Sequence, residues 1–111
     1  MIELTVKPCR DDKIKISLSD ERHWSDVLLN LDSVHELVKG IGILADATTS
    51  KHFLTLCDYY SSDDYLELIG NGEYVELSIT TIDDYKSRIL SKVVYLPSLL
   101  AQIVSAVDSG K

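Results

Sequence analysis

The chain has 111 residues, of which 45% are hydrophobic and 26% charged, and this composition fits one globular domain spanning residues 1–111. Its formal net charge of −7 argues against binding to nucleic acid or to an anionic membrane, because both depend on clusters of Lys and Arg. Charged or polar residues interrupt every apolar run before it reaches about 18 residues, so the sequence predicts no transmembrane helix.

The first residues and the cysteines both favour a cytoplasmic location. The opening residues 1–6, MIELTV, alternate apolar and polar side chains and lack the basic and apolar regions of a secretion signal. Cys9 and Cys57 do not have C-x-x-C spacing, and a domain of this size does not need a disulfide. We therefore expect the protein to reside in a reducing cytoplasm. The sequence leaves open whether the two cysteines form one disulfide.

Two half-buried strands are predicted at the start of the chain. Residues 2–6 and residues 13–18 each alternate apolar with polar side chains, which is the period of a strand with one buried face. The turn residues 8–12 lie between them, so an antiparallel pair is expected.

Residues 20–47 predict one or two helices. Ser33 and Glu36 have the spacing of a capping box, and Gly40 would then end a short helix. An earlier helix over residues 20–31 is a second candidate, because Trp24 and Val27 are followed by leucines at helical intervals.

A hairpin over Tyr65–Thr81 is the strongest local prediction. Asn71-Gly72 favours a type I′ turn, and residues 53–57 form a further buried strand before it. Residues 82–95 fit either a helix or another strand. Pro97 suits the first turn of a final helix, and the apolar face of that helix extends to Val107. The expected fold is therefore α+β, with one antiparallel sheet of about five to six strands packed by these helices.

A two-residue loop at Asn71-Gly72 fixes the expected pairing of the hairpin. It places Glu67 directly opposite Glu76, and like charges in that position cost up to about 1 kcal/mol. Such a local conflict is expected where function overrides stability, unless water or a neighbouring lysine compensates both carboxylates. The same pairing sorts the strands into a core face and an exposed face. The core face comprises Leu66, Leu68, Val75 and Leu77.

Acidic side chains and tyrosines are concentrated in residues 58–85. This segment holds eight Asp or Glu and no Lys or Arg, so its formal charge of −8 exceeds that of the whole chain. Five of the six tyrosines lie there too. Carboxylates accept paired hydrogen bonds from Arg, and tyrosines supply rigid contact area, so this composition indicates a protein-binding surface.

The sequence offers no set of residues typical of an active site. His23, His35 and His52 have no second ligand at helical spacing, and the acidic pairs lack the spacing of a calcium loop. The Gly-rich pieces at residues 40–42 and 70–72 do not match a phosphate-binding loop. We therefore expect a protein that is not an enzyme and that uses no cofactor and no metal.

In size, acidity and surface type, the chain resembles the small bacterial immunity proteins that neutralise nuclease toxins, including those of contact-dependent growth inhibition systems. The resemblance implies a cognate basic toxin as partner, whose nucleic-acid cleft is blocked by an acidic surface. The residues that carry it are the candidate partner-binding set Asp63, Asp64, Tyr65, Glu67, Tyr74, Glu76, Asp83 and Asp84.

A structural or adaptor subunit is the alternative function. Such a protein would assemble through an exposed sheet edge or through the C-terminal helix. Self-association through an apolar interface would favour it, whereas a salt-sensitive complex with a basic protein would favour inhibition. The oligomeric state is left open by the sequence.

Overall fold

A computed structural model describes residues 1–46, 48, 52–83 and 86–109, with only the backbone described at His52 and Asp83. Within these ranges the chain forms seven strands and two helices. In chain order they are β1 (Glu3–Cys9), β2 (Lys13–Ser19), β3 (Trp24–Leu29), α1 (Leu31–Leu44), β4 (His52–Cys57), β5 (Tyr65–Gly70), β6 (Tyr74–Asp83), β7 (Lys86–Tyr95) and α2 (Leu96–Ser109).

The α+β class is confirmed, but the strands form two antiparallel sheets instead of one. The first sheet has the order β1-β2-β3, and the second has the order β4-β5-β6-β7. The predicted pair at the start of the chain is present, with Val6 opposite Ile16. The expectation of a single sheet was wrong because the alternating pattern identifies strands without showing which of them are neighbours.

The core lies between the inner faces of the two sheets and the buried faces of the two helices. Strand β3 contacts β6 and β7, and β2 contacts β7, while α2 packs on β1 and β7 and α1 packs on β4. Residues on these faces that are completely buried include Ile16, Leu18, Leu29, Leu66 and Leu77. Burial of such side chains is the main stabilising contribution to the fold.

Residues 24–29 form a strand, so the second helix candidate, over residues 20–31, is not formed and α1 is the one helix in the described part of this region. Ser25, Val27 and Leu29 are buried and the residues between them are more exposed, which is the period of a strand. The turn before β3 is organised by Asp20, whose carboxylate accepts hydrogen bonds from the backbone amides of Arg22 and His23 at 2.8 and 2.6 Å. These bonds lower the pKa of Asp20.

Helix α1 begins earlier and ends later than the sequence predicts. Its N-cap is Asn30, whose side chain accepts a hydrogen bond from the amide of Ser33, so Ser33 is inside the helix and not its cap. Gly40 lies in the middle of the helix. A Cβ atom there would lie 2.6 Å from Leu54 Cδ2, so the glycine permits close packing of α1 on β4 instead of ending the helix.

The two segments after the hairpin are now defined. Residues 86–95, which fit either helix or strand by sequence, form β7, and α2 follows it directly. The predicted apolar face of α2 is only partly buried. Leu99, Ile103 and Ala106 are in the core, whereas Val104 is 49% exposed. Within the described residues, neither helix combines the length and apolar character needed to cross a membrane.

The hairpin is present, but its turn and register differ from the prediction. Residues 71–73 lie outside the strands, and positive φ angles occur at Gly70 and Gly72 instead of at both Asn71 and Gly72. The turn is therefore not a two-residue type I′ turn. Its tip is tied to both helices, because Gly72 N donates to Leu44 O at 2.6 Å and Leu96 N donates to Glu73 O at 2.7 Å.

Replacing Gly72 by valine should destabilise the protein by about 1–3 kcal/mol, because a β-branched residue adopts positive φ only with strain. The φ angle of Gly72 is +95°. Urea unfolding monitored by circular dichroism would measure the change, with Glu73→Val, at an exposed position without positive φ, as the neighbouring control. An unchanged midpoint for Gly72→Val would contradict the turn geometry described above.

Candidate functional site

The second sheet has an exposed face that points away from the core, and we call it the outer face. The strand register and the burial pattern define it. Its described side chains are Phe53, Thr55, Cys57, Tyr65, Glu67, Ile69, Tyr74, Glu76, Ser78, Thr80, Ile82, Ser87, Ile89, Ser91, Val93 and Tyr95.

Large apolar side chains are unusually exposed on the outer face. Phe53 is 67% exposed, Tyr74 and Val93 are each 65% exposed, and Ile89 is 60% exposed. The rings of Tyr74 and Tyr95 lie side by side, with centroids 5.0 Å apart and an interplanar angle of 37°. Single exposed apolar residues are ordinary, but several together on one face are typical of an interaction surface.

Glu67 and Glu76 lie near the centre of this face, although they are not directly opposite each other. Glu67 pairs with Ser78, and Glu76 pairs with Ile69 on one side and Val93 on the other. The predicted Glu67–Glu76 pairing was wrong because the longer turn shifts the register by two residues. A shift of two keeps every side chain on its predicted face, since the side-chain period of a strand is two.

Both carboxylates flank the side chain of Ser78. Glu67 is the cross-strand neighbour of Ser78, and Ser78 Oγ donates a hydrogen bond to Glu76 Oε1 at 3.4 Å. Ser78 Oγ also lies 2.7 Å from Ser91 Oγ on β7. Ser78 is only 8% exposed, and its hydroxyl contacts Ser91 across the strands and Glu76 along β6.

No positive charge balances these two carboxylates within the described part of the chain. No described Lys, Arg or His side chain forms an ion pair with Glu67 or Glu76. The described side chains of the outer face also include no basic residue. The face therefore combines apolar area with uncompensated negative charge.

The remaining predicted site residues are distributed differently. Tyr65 and Tyr74 share the outer face with the two glutamates, as the sequence predicts. Asp64 is mainly structural, because its Oδ1 accepts a hydrogen bond from Ile82 N at 2.9 Å. Asp63 is exposed in the loop before β5. Asp83 is described only by its backbone at the end of β6, and Asp84 lies outside the described residues.

Asp58 also has a structural role that the sequence did not reveal. Its two carboxylate oxygens accept hydrogen bonds from Leu28 N at 2.7 Å and Tyr60 N at 2.9 Å. Tyr59 N donates in turn to Leu28 O at 2.8 Å, so this loop covers part of the edge of β3. The acidic segment therefore includes carboxylates that hold loops in place as well as carboxylates that face solvent.

Sequence reasoning missed the apolar members of the outer face on β4 and β7, including Phe53, Ile89 and Val93. The alternation of Ile89, Ser91, Val93 and Tyr95 could have found the β7 residues, once residues 86–95 were interpreted as a strand. Phe53 was predicted within a strand, but nothing local indicated that it faces solvent.

Replacing Asp64 by alanine should lower the free energy of unfolding by about 1 kcal/mol, because the amide of Ile82 loses its acceptor. The matched control is Asp63→Ala, which removes the same charge from the adjacent exposed position. Thermal unfolding of both variants would measure the difference. Equal stability of the two variants would show that the Asp64 hydrogen bond contributes nothing.

No group of three or more His, Cys, Asp or Glu in the described residues could hold a metal ion. Cys9 and Cys57 are both free thiols. No protein-family model, no curated protein and no solved structure matches the chain.

Proposed function

We propose that this chain is an immunity-type inhibitor, which binds a basic protein toxin, a nuclease, in the bacterial cytoplasm and blocks it through the outer face. The observation that supports this proposal is the combination of exposed apolar side chains with two carboxylates that form no ion pair with any described residue. The chain provides the negative charge, and the partner provides the positive charge. The toxin's nucleic-acid cleft is the surface that such a face would cover.

Charged and apolar side chains on the outer face would contribute differently to such binding. Glu67 and Glu76 attract a basic surface over about 8 Å at physiological salt, which accelerates association. Tyr74 and the exposed apolar side chains around the glutamates then lose contact with water, which slows dissociation. A carboxylate surface also competes directly for the cationic side chains that would otherwise bind phosphates.

The charge on this face argues against the alternative of self-association there. Two copies related by a twofold axis through the centre of the face would bring four like-charged carboxylates together. Such a contact would be opposed by repulsion between groups that the described residues leave uncompensated. A basic partner turns the same charges into an attraction.

The product of the gene adjacent to the one that encodes this chain is the partner to test first. Co-expression should relieve the toxicity of that product, and calorimetric titration should give a complex whose affinity falls as salt rises. Sedimentation of the chain alone measures self-association in parallel. An affinity that does not change with salt, or a stable dimer that buries the outer face, would contradict the proposed function.

A further inference from the structure

The arrangement of the two glutamates restricts the kind of cation that the outer face can take. Glu67 and Glu76 are diagonal neighbours on β5 and β6, and such positions lie about 7–8 Å apart at their backbones, within joint reach of one side chain. Both flank Ser78, so their carboxylates have access to the same point of the face. One inserted cation can therefore contact both.

The apolar side chains around Glu76 would exclude water when a partner covers the outer face. Glu76 lies between Ile69 and Val93, and the exposed Phe53 and Tyr74 lie on the same end of the face. An ammonium group is strongly hydrated and loses this hydration at a large cost in free energy, whereas a guanidinium is weakly hydrated. A guanidinium also has five N–H donors in a planar fork, enough to bind two carboxylates at once.

The β7 edge of the second sheet is a poorer place than the outer face for a basic partner. Lys86, Arg88 and Lys92 all lie on β7, which is an edge strand. Arg88 Nη1 reaches the backbone oxygen of Trp24 in β3, and Lys92 Nζ reaches that of Ile2, just before β1. A basic strand added to β7 would meet these positive charges, so charge complementarity favours the face over this edge.

We propose that the outer face docks a partner segment that inserts an arginine side chain between Glu67 and Glu76 and places apolar side chains against Val93 and Tyr74. This inference rests on the proposed function and specifies the chemistry of the partner at the same face. It selects arginine over lysine, and a segment docked on the face over a strand added to β7. The hydroxyl of Ser78 contacts the Glu76 carboxylate that receives the guanidinium.

Short acetylated peptides that alternate leucine with arginine, or leucine with lysine, test this inference on the intact chain. Each is titrated into the uniformly ¹⁵N-labelled protein, and amide chemical shifts locate the binding position. We expect the arginine peptide to shift the amides of Glu67, Glu76 and Ser78 and to bind several-fold tighter than the lysine peptide. The double variant Glu67→Gln, Glu76→Gln should lose this preference.

The control is the double variant Glu21→Gln, Glu36→Gln, which removes the same charge from two exposed positions away from the outer face. It should retain the preference for arginine. Equal binding of both peptides at Glu67 and Glu76 would overturn the arginine inference and leave the proposed function standing. Shifts confined to other surfaces would overturn both, because a basic apolar ligand would then have avoided the outer face.

Discussion

Replacing Leu77 by alanine should lower the free energy of unfolding by about 2–5 kcal/mol. Leu77 is completely buried on β6, one of the two central strands of the second sheet, and lies opposite the equally buried Leu68. Truncation would leave a cavity between the two sheets, and the surrounding strands could close it only partly. Urea unfolding at equilibrium measures the loss directly.

The matched control for Leu77→Ala is Ile89→Ala, which removes a large apolar side chain from the outer face. Ile89 is 60% exposed, so its truncation should change stability by less than about 1 kcal/mol. The contrast between the two variants tests the orientation of the whole sheet. Equal losses, or a larger loss at Ile89, would mean that the inner and outer faces have been assigned the wrong way round.

Replacing both Glu67 and Glu76 by lysine should weaken binding to the proposed basic partner by at least about 2 kcal/mol and leave the fold intact. The loss has two sources: two attractive contacts disappear, and two new positive charges face the partner's own. The fold should tolerate the change because both side chains lie on the outer face and no described cation depends on them. Calorimetric titration measures affinity, and thermal unfolding of the free variant checks stability.

A control must separate the effect of the changed net charge from the effect of placing that charge on the outer face. The variant Glu21→Lys, Glu36→Lys changes the net charge by the same amount at exposed positions elsewhere, so only its long-range effect on binding should remain. Tyr74→Ala should reduce affinity by about 1–4 kcal/mol with little dependence on salt, because its contribution is buried area. Unchanged affinity in the Glu67→Lys, Glu76→Lys variant would remove the outer face from the interface.

Side-chain alternation predicted the parts of the fold that depend on local pattern. The hairpin strands, the pair at the start of the chain and the final helix all have a clear period of two or 3.6 residues. The assignment of Leu66, Leu68, Val75 and Leu77 to the core face survived the error in register, because all four are buried. The face on which a side chain lies depends only on whether its position along the strand is odd or even. A register shift of two residues leaves that unchanged.

Contacts between distant parts of the chain determined what the sequence could not predict. The turn of the hairpin is held by hydrogen bonds to Leu44 in α1 and to Leu96 at the start of α2, and these tertiary bonds accompany the longer loop. Strand β3 was mistaken for a helix because Trp24, Val27 and Leu28 also fit a helical interval. Its burial against β6 and β7 is a property of the assembled sheets.

The candidate site was predicted in part for the same reasons. Tyr65, Glu67, Tyr74 and Glu76 share one face because they belong to one hairpin, whose alternation was clear in the sequence. The apolar residues of β4 and β7 joined them only through the order of strands in the sheet. Asp64 has a backbone partner on β6, which composition could not distinguish from a carboxylate free to bind another protein.

Negative charge is distributed unevenly over this fold. Residues 58–85 carry a formal charge of −8, so the rest of the chain sums to +1, and much of the negative segment lies in β5, β6 and the loop before them. The centre of negative charge is therefore displaced from the centre of mass towards the second sheet. In the electric field of a basic protein, this offset produces a torque that rotates the second sheet forward before contact. A larger share of collisions with the proposed partner would then begin with the outer face towards it.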